Sequence, residues 1–377
     1  MKGVLLVTIG FPPNIGGIET HFSDLVSGLV KRKWKVYVLT YQPLTAKFTA
    51  AYFEHTSGTE IHRLPILKGI FYKFVKSPLL EFIYLTPGLF IWLPVLLFVK
   101  GKSIQVIHSH GLIAGFVSVF WGKIFRKRVI TTTHSMYEFP KTGLYTKLSR
   151  WIFNSSASVL CLSMQSVNEI ATLGVPKSKI VRFVYWIDEN RFKREKNAKQ
   201  RLHLDDRFTV LFVGRLVPEK GIDILLNSLQ SWPKSTRLII AGEGPLEPKV
   251  KMQMKRHSDQ LMYVGSLSQN ELSLYYSAAN MLIVPSVHEE GFGRVIIESL
   301  FCGTPVVGAN RGAIPEALDH TVGELIQINE KNISTTVKKY MQNRSLLKKM
   351  SANCRKYAEQ RYSSDNIESI LSTYLEA

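Results

Sequence analysis

Cysteine is scarce in this chain. Its 377 residues include three cysteines, Cys161, Cys302 and Cys354, which are odd in number and far apart. A disulfide framework or a structural zinc site needs closely spaced cysteine pairs. The sequence therefore argues against a disulfide-stapled secreted domain and predicts reduced thiols in a reducing compartment.

The beginning of the chain lacks the features of a leader peptide. Its first apolar run, residues 4–9, is too short for the hydrophobic part of a leader and ends at Gly10 and Pro12 without a small-residue cleavage site. We expect a first β-strand there. The sequence shows no short-period repeat and no low-complexity segment.

An uninterrupted membrane-spanning run is missing as well. Residues 82–99 are nearly free of charge, but Pro87, Gly88 and Pro94 interrupt them and the stretch is short for a spanning helix. We expect a crossover helix that is buried or faces a membrane, with a spanning helix as the alternative. The preceding residues 68–76 interleave three lysines with bulky apolar side chains, which is typical of a segment on an anionic leaflet or of a solvated helix face.

Acidic side chains are outnumbered. The chain has 48 Lys plus Arg against 29 Asp plus Glu, a net charge of +19. Residues 1–190 carry 22 basic and 9 acidic residues, which leaves 26 and 20 for the remainder. This field favours an anionic partner, whether nucleic acid, an anionic membrane leaflet or a phosphorylated small molecule, and does not choose among them.

Short runs rich in Val and Ile alternate with longer amphipathic stretches, a pattern typical of parallel strands joined by crossover helices. It predicts an α/β fold with doubly wound domains at 1–190 and 207–360, a polar linker at 191–206 and a final amphipathic helix at 361–377. The predicted strands are 4–9, 35–40, 105–108, 128–132, 158–162, 209–213, 237–241, 262–264, 281–284 and 305–308. Ligands on such sheets bind beyond the carboxyl ends of the strands.

Two glutamates late in the chain are the strongest chemical signal. Glu290 lies in the loop before a predicted helix, and Glu298 lies about two turns into that helix. Both carboxylates can face one cleft, while the N–H groups of Phe292 and Gly293 point at an anion above the helix N-terminus. Two glutamates at this spacing are also common on solvated helices, so the pair alone does not decide.

The glycine-rich pieces GFGRVI and AGEGPLE do not complete a dinucleotide-binding fingerprint, because Ile296 and Glu247 replace the third glycine. In their wider context they resemble the retaining family 4 glycosyltransferases, where Glu290, GFG and Glu298 match the E-x7-E motif. The other matching pieces, in the family's order, are FPPNIGGIETH (11–21), IHSHG (107–111), TTTH (131–134), FVGRLVPEKGID (212–223), AGEGP (241–245), YVGSLSQNELSLYYSAANMLIVPS (263–286) and GTPVVGANRGAIPEAL (303–318).

The resemblance implies a GT-B fold, in which two Rossmann-like domains face a central cleft. It also implies a catalytic or binding role for several residues. Arg215 and Lys220 would hold the donor diphosphate, a role that suits two cations after a strand end. Glu298 would accept hydrogen bonds from the ribose and Glu290 from the sugar, with the N–H groups of Phe292 and Gly293 beside it. An ordinary surface pair is the alternative for Arg215 and Lys220.

The remaining implied donor contacts are glycines and short side chains. Gly16 and Gly17 let the backbone approach a phosphate or an acceptor, and Gly214 and Val264 line the donor site. In the first domain, His110 would reach the donor sugar from its strand end. A core or capping histidine is the alternative for it, and for His108 on the same face of the strand.

The resemblance further implies a retaining reaction, in which the acceptor hydroxyl attacks on the face that the diphosphate leaves and the phosphate takes up the proton. Glu290 as a covalent nucleophile is the rival mechanism. No cofactor or metal is expected, because none of the eight aspartates forms the D-x-D pair of the metal-dependent glycosyltransferases.

The chain departs from the family pattern in two places. Tyr185 and Trp186 stand where the family commonly has Asn-Gly, which concerns the hinge and the acceptor contacts. Gly312 and Ala313 replace the usual Gly-Gly, so the backbone approach there is expected to be tighter. By resemblance, the C-terminal helix crosses back to the first domain.

The favoured function is therefore transfer of a hexosyl unit from a UDP- or GDP-sugar to a lipid-linked or cell-surface glycan, by a protein held peripherally on the cytoplasmic face of a membrane. The basic, aromatic-rich first half motivates the lipid acceptor and the anionic membrane partner. A sugar-nucleotide epimerase of the same fold is one alternative. A nucleic-acid-binding protein is the other, but we expect no nucleic-acid partner because the aromatic and basic spacing of a binding module is missing.

Overall fold

The computed structural model describes residues 2–14, 16–44, 48–67, 78–134, 137 and 139–375. The lysine-rich segment 68–76 lies outside the described residues. The chain divides into two compact units, Met1–Val184 with Asn366–Ala377, and Tyr185–Asp365. Each unit is built on a largely parallel sheet, so the predicted two-domain α/β fold is confirmed.

The sheet of the first unit has the order β3-β4-β2-β1-β5-β6-β7-β8 in the described residues, and only β3 runs antiparallel to its neighbour. Its strands are β1 (Gly3–Val7), β2 (Lys35–Tyr41), β3 (Phe53–Thr56), β4 (Thr59–Leu64), β5 (Val106–His110), β6 (Arg128–Thr133), β7 (Ser158–Cys161) and β8 (Ile180–Arg182). The helices are α1 (Gly17–Lys31), α2 (Pro78–Lys100), α3 (Leu112–Ile124), α4 (Leu144–Ser155) and α5 (Met164–Thr172).

The central strands of this sheet are buried on both faces. All five residues of β1 and all five of β5 are buried, which explains their continuous apolar character in the sequence. The crossover helix expected at 82–99 is α2, and it contains Pro87 and Pro94. Its leucines, including Leu85, Leu89 and Leu93, pack into the core of the first unit.

The sheet of the second unit has the order β11-β10-β9-β12-β13-β14, and every pairing in it is parallel. Its strands are β9 (Phe208–Val213), β10 (Thr236–Ala241), β11 (Leu261–Gly265), β12 (Met281–Val284), β13 (Val306–Ala309) and β14 (Gly323–Ile326). The helices are α6 (Ala198–Arg201), α7 (Ile222–Ser228), α8 (Glu247–Arg256), α9 (Gln269–Ala278), α10 (Arg294–Phe301), α11 (Ile314–Ala317), α12 (Glu330–Gln342) and α13 (Arg344–Tyr362).

Each of the ten predicted strands has a counterpart in these two sheets. The strands that the sequence did not indicate are β3, β4, β8 and β14, which lie towards the sheet edges. Strand β3 is largely exposed and polar, and β8 has three residues. An exposed edge strand has no need of the apolar run by which the buried strands are recognised.

Residues 191–206, expected as a linker, pack on the second unit. The Lys193 carbonyl accepts a hydrogen bond from Ser273 Oγ at 2.9 Å, and the Glu195 N–H donates to Ser277 Oγ at 2.9 Å. Both serines belong to α9. The chain therefore enters the second unit at Tyr185, before this stretch.

The C-terminal helix α14 (Glu368–Leu375) packs on the first unit. Tyr374 OH lies 2.6 Å from His108 Nδ1, and the Tyr374 ring lies edge-on to Trp34. Arg128 Nε donates to the Thr373 carbonyl at 3.1 Å. The first unit is thus completed by residues from the far end of the chain.

We predict that Tyr374→Ala lowers the free energy of unfolding by about 3 kcal/mol, the order expected for truncating a buried aromatic side chain. Tyr374 is buried, whereas its neighbour Leu375 is exposed. Leu375→Ala is therefore the matched control and should change little. Guanidinium unfolding followed by circular dichroism measures both, and equal effects of the two substitutions would contradict this packing.

Candidate active site

The second sheet has its topological switch point between β9 and β12. From β9 the chain continues to β10 and β11 on one side, and it later returns to β12, β13 and β14 on the other. In doubly wound sheets a ligand binds at the carboxyl ends of the two strands that flank such a point. The relevant loops are residues 214–221 after β9 and 285–293 after β12.

Lys220 and Glu290 meet at this edge. Lys220 ends a short 3-10 helix in the loop after β9, and its ammonium group forms an ion pair with Glu290 Oε1. Ser286 Oγ, two residues beyond the end of β12, donates to the same carboxylate oxygen at 2.5 Å. Two residues that the sequence selected from distant motifs are therefore in direct contact.

The charge of Glu290 is held by its neighbours. Burial opposes its ionisation, but the ammonium group of Lys220 and the hydroxyl of Ser286 outweigh burial, so that the pKa of Glu290 lies below its usual value. The site therefore presents a carboxylate and a cation side by side. A cation suits a phosphate group, and a carboxylate oxygen accepts hydrogen bonds from hydroxyl groups.

Gly312 fixes the backbone of Glu290. Its φ is +59°, and a Cβ placed there would stand 2.6 Å from the Glu290 backbone nitrogen. The N–H of Ala313 donates to the Glu290 carbonyl at 3.0 Å. The loop after β13 thus supports the loop after β12, and only a residue without a side chain allows this approach.

Glu298 is buried in α10 with its carboxylate held from two sides. Tyr276 OH donates to Glu298 Oε2 at 2.9 Å, and Arg294 Nε lies 3.4 Å from Oε1. Arg294 Nη1 also donates to the Trp186 carbonyl at 3.2 Å. Burial and the Glu298 carboxylate raise the pKa of Tyr276 well above its usual value, so that it remains a neutral donor.

Phe292 holds the loop that precedes α10. Its side chain is buried and packs edge-on against Tyr185 and Tyr362, with ring centroids 5.9 and 5.8 Å away. The next residue, Gly293, has a φ of +78° and caps the helix. Tyr185, a departure from the family pattern, therefore packs against the loop that joins Glu290 to α10.

The other predicted donor residues lie along the same sheet edge. Gly214 and Arg215 directly follow β9, and Arg215 is exposed without an ion pair in the described part of the chain. Val264 lies in β11, the edge strand, with β10 between it and β9. Arg215 is thus close in sequence to Lys220 and available to an anion, whereas Val264 lies two strands away.

In the first unit, His110 ends β5 beside the switch point between β1 and β5. Its Nδ1 lies 2.9 Å from His134 Nε2, and the Phe22 ring of α1 lies 4.5 Å from its ring. Gly16 and Gly17 begin α1. The predicted residues of the first half therefore gather at one edge of this sheet.

The two histidines of β5 differ in their contacts. His108 is fully engaged, because Tyr374 OH and Thr132 Oγ1 each lie 2.6 Å from one of its ring nitrogens. It is a core histidine. Burial lowers the pKa of His110 well below its usual value, and the nearby His108, His134 and His21 add to this. His110 Nε2 is buried without a hydrogen-bond partner among the described residues, so this nitrogen can bind a ligand.

Metal-ligating side chains were searched for in the part of the chain that the structure describes. No three His, Cys, Asp or Glu residues there are placed to hold a metal ion. The three cysteines are buried free thiols.

Sequence reasoning missed Ser286, Tyr276 and Arg294. Ser286 could have been found, because it follows a predicted strand at the edge where ligands bind. Tyr276 and Arg294 carried no such signal, since each acts by holding Glu298 and their contact depends on how α9 packs beside α10.

The chain matches the family model described as glycosyl transferases group 1 over residues 193–361 and that described as glycosyltransferase family 4 over residues 15–191. Between them the two models take in nearly the whole chain. It belongs to the family 4 glycosyltransferases.

Two relatives and one solved structure illustrate this membership. The chain is 26% identical to a human phosphatidylinositol N-acetylglucosaminyltransferase, covering 89% of this chain and 68% of that protein. It is 25% identical to the GDP-mannose-dependent alpha-(1-6)-phosphatidylinositol monomannoside mannosyltransferase of Mycobacterium tuberculosis, covering 86% and 85%. The crystal structure of Anabaena HepE in complex with UDP is similar in fold, with a TM-score of 0.78, 19% identity and coverage of 100% and 99%.

We predict that Gly312→Ala lowers the turnover of this glycosyltransferase at least tenfold, because the added methyl group displaces the Glu290 backbone. Gly174→Ala is the matched control, since Gly174 also has positive φ, +77°, but no atom lies within 4 Å of the added carbon. Thermal unfolding separates loss of fold from loss of activity. Full activity in Gly312→Ala would show that the position of Glu290 is unimportant.

We also predict that acid destabilises the first unit through His108. Burial lowers the pKa of His108 to about 3, whereas the unfolded chain takes up that proton below about 6.5. The stabilisation is therefore complete above about pH 6.5 and is lost as pH falls towards 3, by about 2 kcal/mol between pH 7.5 and 5. Urea unfolding at both pH values should show a smaller loss in His108→Gln, and an unchanged loss would refute the assignment.

Proposed function

We propose that this glycosyltransferase moves a hexosyl unit, with retention of configuration, from a UDP- or GDP-sugar to a lipid-linked or cell-surface glycan acceptor. The observation that carries the proposal is the pair of Lys220 and Glu290 at the switch point of the second sheet, next to Arg215. A cation and a carboxylate in contact match the two ends of a sugar diphosphate, one anionic and one rich in hydroxyls.

The diphosphate is the group that these cations hold. Lys220 and Arg215 take the phosphate oxygens, and they stabilise the charge that grows on the leaving phosphate as its bond to the anomeric carbon breaks. On donor binding, Lys220 exchanges or shares its contact with Glu290 for one with phosphate. Glu290 then has carboxylate oxygens to accept hydrogen bonds from the sugar hydroxyls.

Glu298 is proposed to bind the ribose. Its carboxylate is already oriented by Tyr276 and Arg294, so little side-chain freedom is lost when two ribose hydroxyls donate to it. Phe292 and Gly293 place their backbone beside the sugar through the aromatic contacts of the Phe292 ring.

In the reaction, the acceptor oxygen forms its bond to the anomeric carbon on the face from which the phosphate oxygen departs. The acceptor proton passes to that phosphate oxygen. Glu290 is a poor covalent nucleophile, because Lys220 and Ser286 both bind one of its oxygens and stabilise its charge. We assign acceptor recognition to the first unit, with His110 offering Nε2 to a substrate hydroxyl.

The transfer is proposed to need no metal ion. Two cationic side chains at the site supply the positive charge that a divalent ion supplies in other phosphate-transferring sites. Transfer should therefore continue in excess EDTA, and dependence on added Mg²⁺ or Mn²⁺ would contradict this part of the proposal.

The similar proteins support the donor and acceptor classes. HepE has been crystallised with UDP and with UDP-glucose, whereas the mycobacterial relative is named for GDP-mannose, so the base stays open between uracil and guanine. The human and mycobacterial relatives are both named for phosphatidylinositol acceptors. Together with the basic first half, this supports a lipid-linked acceptor and peripheral attachment to the cytoplasmic face of a membrane.

A thermal-shift panel with UDP, GDP and ADP tests the donor site. We predict that UDP or GDP at about 100 times its dissociation constant stabilises the protein by about 2.7 kcal/mol. Lys220→Gln should lose most of this shift, since it removes a phosphate contact. Lys251→Gln is the control, because Lys251 is an exposed lysine of the same unit, on α8. An equal shift in both variants would move the diphosphate away from Lys220 and overturn the proposal.

A further inference from the structure

Helix α2 is apolar on two opposite faces. One face packs into the core of the first unit through leucines that include Leu85, Leu89 and Leu93. The opposite face is exposed and carries Leu80, Ile83, Ile91, Val95 and Phe98. Ile91 is 63% exposed and Phe98 is 85% exposed, so these side chains are covered by nothing in the described chain.

The exposed residues form one continuous stripe. They follow one another at intervals of three or four, with the exposed Pro87 completing the series between Ile83 and Ile91. Residues at this spacing lie on one side of a helix, and the stripe from Leu80 to Phe98 is about 27 Å long. Its length and uniform apolar character exceed what scattered surface residues produce.

Neighbouring helices widen the stripe into a surface. The Phe90 ring of α2 lies 5.0 Å from Phe120 of α3, and the Phe116 ring of α3 lies 5.9 Å from Trp151 of α4. Phe120, Ile124 and Trp151 are exposed. We call the stripe on α2 with these three side chains the apolar face.

Positive charge accompanies the apolar face. Residues 78–155 contain nine basic and two acidic residues. The Lys123 ammonium lies 5.1 Å from the centre of the Trp151 ring, and Lys147 and Arg150 are exposed on the same helix as Trp151. Apolar side chains bordered by lysine and arginine are typical of a surface that binds anionic lipid.

Helix α2 is long and apolar enough to cross a membrane over Leu79–Lys100. Crossing would strip its inner face from the core and pull on β5, which begins at Val106, six residues beyond the helix. The inner contacts therefore favour a helix that lies on a bilayer over one that spans it.

We propose that the apolar face docks on an anionic lipid bilayer, with α2 parallel to the surface and its outer side chains inserted at the boundary of headgroups and acyl chains. Lys123, Lys147 and Arg150 then contact lipid phosphates. A second copy of the chain fits this face poorly, because it would bring the same excess of positive charge against itself. The proposal deepens the proposed function by naming the surface that reaches the membrane, and rests on that function for the choice of a lipid partner.

Flotation with lipid vesicles tests the docking without nucleotide or acceptor. The full chain is mixed with vesicles of phosphatidylcholine alone or with 30% phosphatidylglycerol. It should float with the anionic vesicles, and Ile91→Gln with Phe98→Gln should weaken this binding at least tenfold. Tyr52→Gln with Met252→Gln is the control, because it removes two exposed apolar side chains away from the apolar face.

Vesicles with brominated acyl chains then report insertion, because they quench tryptophans that enter the bilayer. Quenching should fall in Trp92→Phe, since Trp92 is exposed on α2. Equal flotation of the Ile91/Phe98 variant and the wild type would overturn the proposal, as would self-association through this face without vesicle binding. Retention of the protein in vesicles at alkaline pH would overturn it in favour of a spanning helix.

The nucleotide shift of the Ile91/Phe98 variant keeps the two proposals apart. It should equal that of the wild type, because the substitutions lie in the other unit from Lys220. Loss of vesicle binding with a normal nucleotide shift supports the docking surface. A missing nucleotide shift in every variant would instead count against the donor site.

Discussion

The ion pair between Lys220 and Glu290 is the contact on which the second unit's site depends. Two opposite charges that are largely withdrawn from water remain ionised only because each has the other, and Ser286 adds a hydrogen bond to the shared oxygen. The parallel strands β9 and β12 bring the two loops together, and Gly312 sets how closely the next loop supports them. The sheet topology therefore decides where charge can be held, and the charge decides what the site can bind.

A second layer of contacts keeps this arrangement rigid. Tyr276 and Arg294 orient Glu298, and Phe292 is packed between Tyr185 and Tyr362, which stand near the two ends of the second unit. Such rigidity suits a site that must stabilise a growing charge, because groups that are already oriented lose little freedom during the reaction. In the first unit, buried histidines meet at the corresponding sheet edge, and the C-terminal helix closes the far side of His108.

The fold and half of the site could be read from the sequence, for physical reasons. Strands buried on both faces appear as continuous Val and Ile runs, and loops after adjacent parallel strands must meet, which placed Lys220 near Glu290 on sequence grounds. Contacts between helices carried no such signal: Tyr276 recognises Glu298 only after α9 and α10 pack. The contact of His108 with Tyr374 joins opposite ends of the chain, and no local pattern encodes it. Composition alone could not separate the inner from the outer face of α2, since both are apolar.

The most direct test of the account is a crystal structure of the protein with UDP or GDP bound. The account predicts the diphosphate at the carboxyl ends of β9 and β12, within hydrogen-bond distance of Lys220 and Arg215, with the ribose on Glu298 and the Lys220 to Glu290 contact loosened. A diphosphate bound away from this edge, or an ion pair left unchanged beside an occupied site, would contradict it.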